Sequence, residues 1–312
     1  MATVTVRNEK GAIGVSPHER SLPQLFDAGL LLLDKPRGPS SHEVSSFVKK
    51  MLGIPKAGHS GTLDPDVSGV LPVMLGNATK LAPLLLGSPK EYVCVMKLAG
   101  PVSEKELSAA LENFRGKIYQ TPPLESAVKK FLRIREIYSL KVLEHKGDLV
   151  LFDTRVQGGT YIRTLVRDTG LVLGVEAQMA ELRRTVAAGI KESQCVTLQE
   201  LSDRLWLAKE RGDEKPLREC IVPVEDVVKL KRITVDDESL RPLCTGANVG
   251  FASILSYDDS IEQGHSVGLF TLKGELACIA KAMVDGVAIG KSIKAGERGL
   301  AADVVRVLRP FA

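Results

Sequence analysis

Two spacings of apolar residues run through this chain, one near 3.6 residues and one of 2, and they are interspersed. The apolar run "GLLLLD", residues 29–34, is followed by Pro-Gly punctuation, which predicts a short buried strand. Ser40 with Glu43 three residues later predicts a capping box. Val44, Phe47, Val48, Met51 and Leu52 then share one helix face, and Gly53 ends it. The same grammar recurs at Ser103 with Glu106, ahead of Leu107, Ala110, Leu111 and Phe114. It recurs again at Thr197 with Glu200, ahead of Leu198, Leu201, Leu205 and Ala208. Strands are expected at 91–98, 139–145 and 149–156.

Without strict strand–helix alternation, this pattern favours a mixed α+β domain over a doubly wound sheet. From about residue 231 the character changes to short Val/Ile/Leu runs broken by glycines, with Lys273-Gly274 as a hairpin turn. We therefore expect three parts. Residues 1–24 are polar and aperiodic, either a tail or an arm packing on the C-terminal domain. Residues 25–230 form the main domain, and 231–312 a small β-rich, barrel-like one, joined through the charged stretch "KERGDEKPLREC".

Composition refines this only modestly. A chain of 312 residues, 44% hydrophobic and 26% charged, suits a globular protein of two domains. No run approaches the roughly 18 apolar residues of a membrane span. The N-terminal stretch lacks a signal-peptide core, so a cytoplasmic location is expected. Cys94, Cys195, Cys220, Cys244 and Cys278 are odd in number and widely spaced, and read as thiols rather than a disulfide frame or zinc site. The net charge of +4 permits nucleic acid without demanding it, so clustering of the basic residues matters more.

Three segments carry candidate chemistry. The first, "AGHSGTLDPDVSGVLPV" at 57–73, sets Asp64 among glycines that can hold a carboxylate at a defined angle, with His59, Ser60 and Thr62 as donors. An aspartate before proline serves equally well as a turn or helix cap. The second, "QGGTYIRTLVRDTG" at 157–170, predicts a strand end, Thr160 as a cap and a helix carrying Tyr161, Arg163 and Arg167. Arg163 could clamp a carboxylate or a phosphate, or simply face solvent. The third, 122–138, crowds Lys129, Lys130, Arg133 and Arg135 around Phe131 and Leu132. That suits a sugar–phosphate backbone or an ordinary solvated face. "ELRRT" at 181–185 adds a basic pair.

Other motifs fall away. "DGVAIGKS" at 285–292 has Asp285 where a phosphate-binding loop needs glycine, and no helix pattern is expected after it. The five histidines are scattered, so no metal is expected.

Taken in order, "LLLDKPRGPSSHEV", "KAGHSGTLDPDVSGVLPV", "ATKL", "KEYV", "PPLESAVKK-LRIR", "GGTYIRTL" and "GLVLGVEAQMAELRRT" resemble the TruB-type family of pseudouridine synthases. The likeness spans about residues 28–312. The wording around 122–135 and a tail similar to the PUA fold point to the family's dyskerin branch. The resemblance implies a largely antiparallel central sheet flanked by helices. It implies an isomerase needing no cofactor, which breaks the glycosidic bond of a uridine in RNA, turns the uracil and rejoins it through a ring carbon. Asp64 matches the family's essential aspartate, as nucleophile or as base. Arg163 matches its ion-pair partner, and Tyr92 the pocket tyrosine. Tyr161 and Leu182 match pocket walls, and His59 a residue that holds RNA open. Lys80, Lys90, Lys129, Lys130, Arg133 and Arg135 would then meet backbone phosphates.

The branch further implies a box H/ACA guide RNA that selects uridines in ribosomal RNA, or in transfer RNA. It implies small particle proteins docked on the catalytic domain, and a kink-turn-binding ribosomal-type protein on the guide. A stand-alone transfer-RNA enzyme and a non-catalytic RNA-binding scaffold are the alternatives. An intact Asp64, Tyr92 and Arg163 set disfavours the scaffold.

Overall fold

The computed structural model describes residues 2–123 and 129–308. The chain forms two compact units, one built from 31–74 and 81–221, the other from 1–30, 75–80 and 222–312.

In the first unit the described strands form a ten-stranded sheet. Its order is Ile221–Pro223, Gly29–Lys35, Ser68–Leu75, Ala177–Ala187, Lys90–Leu98, Leu149–Val156, Arg133–Lys146 and Gly116–Gln120. The short strands Ala57–His59 and Ile190–Lys191 pair at its side. The central Lys90–Leu98 strand is antiparallel to both neighbours, whereas Ser68–Leu75 runs parallel to Ala177–Ala187. The sheet is thus mixed and largely antiparallel, an α+β arrangement as the periods predict.

Lys90–Leu98 alternates buried and half-buried positions, so Tyr92, Cys94 and Met96 enter one core with Phe152, Val150, Ile162 and Leu165. Each such side chain contributes about 1.5–3 kcal/mol by leaving water. The capping boxes sit where the spacing predicts. Helices Ser41–Leu52, Glu104–Glu112 and Leu198–Arg211 begin after Ser40, Ser103 and Thr197, each side chain accepting from the N3 backbone N–H. Gly53 and Gly212 end the first and third in the left-handed conformation. Thr160 is not the cap of helix Ile162–Leu173. Tyr161 takes that position, and the Thr160 hydroxyl donates instead to the Gln157 carbonyl at 2.8 Å.

The second unit holds a curled seven-stranded sheet ordered Thr3–Thr5, Ile254–Asp258, Lys231–Val235, Ser266–Phe270, Leu276–Ala282, Leu300–Val307, Val249–Gly250. The N-terminal arm adds an edge strand to it, Thr3 opposite Asp258 and Thr5 opposite Ser256. The arm is fixed further inside by Arg20, whose guanidinium meets Glu225 at 2.7 Å and Glu275 at 3.1 Å. No helix pattern is expected after 285–292, yet the segment itself opens one: Asp285 caps Gly286–Lys294 by accepting from Ala288 N–H at 2.7 Å. Its glycines hide it from a propensity reading. A Cβ on Gly286 would lie 2.4 Å from the Asp259 carbonyl oxygen, and one on Gly290 2.5 Å from the Tyr257 hydroxyl.

Candidate active site

The Asp64 loop is held at every second or third residue by a group from elsewhere in its unit. Ser41, first residue of its helix, accepts from Leu63 N–H at 2.8 Å and donates to Leu63 O at 3.0 Å. Lys35, fully buried at the end of its strand, donates to the carbonyls of Pro36, Pro65 and Val67 at 2.7, 3.2 and 2.8 Å. Burial lowers the pKa of Lys35, while the charges of Asp66 and Asp64 act against that shift. Arg184, also buried, donates to Gly61 O at 3.0 Å and Val70 O at 2.8 Å. Leu63 and Val67 sink into the core on either side. Asp64 between them is left with its carboxylate half exposed. The turn closes through Val67 N–H to Asp64 O at 3.1 Å.

Gly69 makes this placement possible. Its φ is +109°, and a Cβ there would stand 2.2 Å from the Arg184 carbonyl oxygen. Only glycine lets the loop's outgoing strand approach Arg184 so closely.

Arg163 comes from across the unit, second residue of helix Ile162–Leu173. The helix start is fixed by Gln120. Its amide oxygen accepts from Tyr161 N–H and its amide nitrogen donates to Tyr161 O, both at 3.0 Å. Arg163 Nη2 thereby reaches Asp64 Oδ2 at 2.7 Å and Asp66 Oδ1 at 4.0 Å. Asp66, a second acid in the loop, is not singled out from the sequence. Asp64 is the closer partner by more than an ångström, so the guanidinium aims that carboxylate rather than its neighbour.

Tyr92 and Leu182 lie on adjacent strands of the same unit. Tyr92 is almost buried in the core and Leu182 half buried against it. Tyr161 is half buried at the helix start. His59 is half buried, and its Nδ1 is buried with no hydrogen-bond partner. Burial, then Arg184, then His42 lower its pKa, so the ring is neutral near pH 7.

The basic residues fare differently from expectation. Lys80 belongs to the other unit and is spent on the carbonyls of Val307 and Leu308 at 3.0 and 2.8 Å. Lys90 is 4% exposed and donates to Leu86 O, Ser88 O and Leu85 O at 2.6, 2.8 and 3.3 Å. Both ammonium groups are thus engaged by backbone carbonyls. Of the "ELRRT" pair, Arg184 is buried and Arg183 is paired with Asp34 at 2.8 Å and Glu192 at 2.7 Å. Lys129 and Lys130 are exposed. Lys130 donates to Pro123 O, and Arg133 to Lys129 O at 3.2 Å. Arg135 donates to Gly159 O at 3.1 Å, bracing the turn ahead of Arg163. The rest of that motif, 124–128, lies outside the described residues.

Lys35, Ser41 and Gln120 escape a reading of the sequence, and Arg184 enters it only as half of a basic pair. The one local signal is Lys35 between an apolar run and Pro36. Among the described residues no three His, Cys, Asp or Glu side chains cluster to hold a metal.

Residues 49–162 match the TruB family pseudouridylate synthase N-terminal domain, and 163–229 the tRNA pseudouridylate synthase B C-terminal domain. Residues 3–45 match the DKCLD (NUC011) domain and 231–308 the PUA domain. A probable tRNA pseudouridine synthase B of Archaeoglobus fulgidus is 44% identical, over 95% of this chain and 90% of its own. One from Methanocaldococcus jannaschii is 45% identical over 94% and 87%. Among solved structures, a Cbf5-Nop10-Gar1 complex contains a chain 40% identical, with a TM-score of 0.89 over 99% of this chain and 94% of that one. An H/ACA RNP bound to a substrate RNA containing 2′-deoxyuridine holds one 38% identical, with the same score over 99% and 95%. An aspartate so placed, set in this fold and matched over nearly its whole length, puts the chain in the TruB family of pseudouridine synthases, in its dyskerin branch.

Proposed function

We propose that this chain is the catalytic subunit of a guide-directed RNA pseudouridine synthase, acting in the cytoplasm on uridines of ribosomal RNA. The observation that carries it is the half-exposed Asp64 carboxylate, held by a clamped loop and aimed by Arg163 at 2.7 Å. A pure scaffold needs no such arrangement. The substrate uridine leaves its stack, at a cost of a few kcal/mol, to bring its ribose to Asp64. Asp64 attacks the sugar or removes a sugar proton, and the C–N bond to uracil breaks. The base turns in a pocket walled by Tyr92, Tyr161 and Leu182. A C–C bond then forms between C5 of the ring and the sugar carbon, as the Asp64–sugar bond breaks or, on the other route, as the sugar regains its proton, and the C5 proton leaves last. Arg163 keeps the carboxylate oriented throughout.

Guide dependence is supported by the likeness to chains of H/ACA RNP and Cbf5-Nop10-Gar1 structures over nearly the full length. The proposed partners are therefore a box H/ACA guide RNA, small proteins on the catalytic unit and a kink-turn-binding protein on the guide. Base pairing with the guide supplies specificity, and electrostatic contacts supply affinity. Lys129, Lys130 and Arg133 remain candidates for the RNA backbone. A second reading, modification of transfer RNA without a guide, is favoured by the names of the archaeal relatives.

The test supplies purified protein, with and without guide RNA and partner proteins, with labelled ribosomal and transfer RNA, and counts pseudouridine. Product that needs the guide and vanishes in Asp64→Asn is the expected result. Product on transfer RNA alone supports the second reading, and RNA binding without product supports a scaffold.

A further inference from the structure

We propose that Lys90 is a positioning residue for the isomerisation, its buried ammonium fixing the turn on which the turn before Arg163 packs, while its stem lies beside the loop that leads to Asp64. This rests on the reading of Asp64 and Arg163 as the reacting acid and its partner.

The geometry comes from three sides of one side chain. Lys90 gathers the carbonyls of Leu85, Leu86 and Ser88, the end of helix Ala82–Leu86 and the turn after it. Those same carbonyls seat the turn that leads to Arg163. A Cβ on Gly158 would lie 2.3 Å from Leu86 O and 2.9 Å from Ser88 O, so backbone packs on backbone there. On its other flank Lys90 meets the loop that leads to Asp64. A Cβ on Gly61 would be 3.6 Å from Lys90 Cε and 3.5 Å from Arg184 Nη1. Two residues further along its own strand stands Tyr92. No other side chain described above lies beside the supports of both members of the ion pair.

Three hydrogen bonds of this ammonium go to carbonyl oxygens and a fourth to the Ser88 hydroxyl at 3.5 Å; among the described residues none goes to a carboxylate. The neighbouring strands bring Val156 and Ala187 opposite it. Helix Ala82–Leu86 presents carbonyls only. The charged group facing it is Arg184 from strand Ala177–Ala187, and the other titratable group on the adjoining loop is His59, itself acted on by Arg184. Burial first, and Arg184 second, push the Lys90 pKa down to about 8. Above that pH the neutral amine has two protons for three carbonyls.

Because the unfolded chain holds this proton more tightly than the native one, linkage makes the fold gain stability as pH rises through that range. The positioning role predicts the opposite trend for catalysis. Activity declines where the fold does not weaken, and a purely structural lysine would not produce that divergence.

The experiment uses the full chain, wild type and Lys90→Met, with two readouts. Hydrogen exchange is followed at pH 7 and pH 9 for peptides covering 58–63 and 157–163. In the reconstituted particle, or on transfer RNA if that is what the wild type modifies, kcat and KM are followed across the same pH range. We expect exchange in both segments to rise about tenfold in Lys90→Met at pH 7 while cooperative unfolding is retained. We expect kcat to drop about tenfold or more with KM within about twofold of wild type. The wild-type decline above pH 8 should be absent from the variant. Unchanged exchange in the two segments, or identical pH–rate profiles, overturns the proposal. Should Lys90→Met not fold, wild-type exchange corrected for intrinsic rate decides. It must rise in both segments between pH 7 and 9, and a flat result overturns the role. The exchange measurement needs no substrate, so a failure of the guided-synthase reading is seen separately.

Discussion

Two arginines in this molecule each meet a pair of carboxylates, in opposite surroundings. Arg163 reaches Asp64 and Asp66 with all three side chains about half exposed. Arg20 reaches Glu225 and Glu275 with almost no exposed surface on any of them. Burial alone would lower the pKa of Arg20, but hydrogen bonds and charge from Glu225 and Glu275 outweigh it and raise it. A half-exposed pair contributes about 0–1 kcal/mol to stability because water competes for both partners. The buried set has no water to fall back on, and losing one member strands the others. The same chemical contact therefore serves aiming in one place and holding in the other.

One substitution made twice separates these uses. Arg163→Met should lower kcat by about a hundredfold or more, since the carboxylate loses its orienting partner. Its unfolding free energy should move by less than about 1 kcal/mol, read by denaturant titration. Arg20→Met should reverse the pattern, costing about 3–5 kcal/mol by taking the guanidinium charge away from two buried carboxylates. Activity per folded molecule should be kept, measured well below the unfolding midpoint. Equal losses of activity in both variants would erase the distinction.

A subtler change sharpens it. Ser41→Ala removes the hydroxyl that binds Leu63 from both sides, and should cost about 1–3 kcal/mol with a several-fold loss of kcat, because Asp64 is the next residue. An intact rate would mean that Lys35 and Arg184 suffice to hold the loop. The smallest effect is one of pH. Burial depresses the pKa of His59, so its contribution to stability is present above the ordinary histidine range and lost as pH falls through that range and below. A denaturation series from pH 7.5 to 5 should show stability falling toward acid, with a shallower slope in His59→Gln. Identical slopes would place the acid sensitivity elsewhere.

Legibility from the sequence followed locality. The capping boxes at Ser40, Ser103 and Thr197 were readable because both halves lie three residues apart. Asp64 and Arg163 were readable as parts of motifs, although 99 residues separate them. Lys35, Gln120 and Arg184 were not, since their partners are backbone atoms as many as 123 residues away and carry no side-chain signature. The carbonyl partners of Lys80 and Lys90 were hidden for the same reason. A lysine in sequence announces a charge, and nothing in the letters says that carbonyls will absorb it. The helix at 286–294 was hidden by glycines whose role is close approach to Asp259 and Tyr257.

The pairing of Thr3–Thr5 with Ile254–Asp258 has a consequence for how the chain is made. A ribosome adds about 5–20 residues per second, so the arm emerges on the order of tens of seconds before its partner strand exists. Arg20 waits as long for Glu225 and Glu275. Throughout that interval this early segment has no sheet to join, while strands Gly29–Lys35 and Ser68–Leu75 are already available to pair. Birth order and assembly order thus run in opposite directions at the N-terminus, and the β-branched run Thr3-Val4-Thr5-Val6 must wait with its strand edges unpaired.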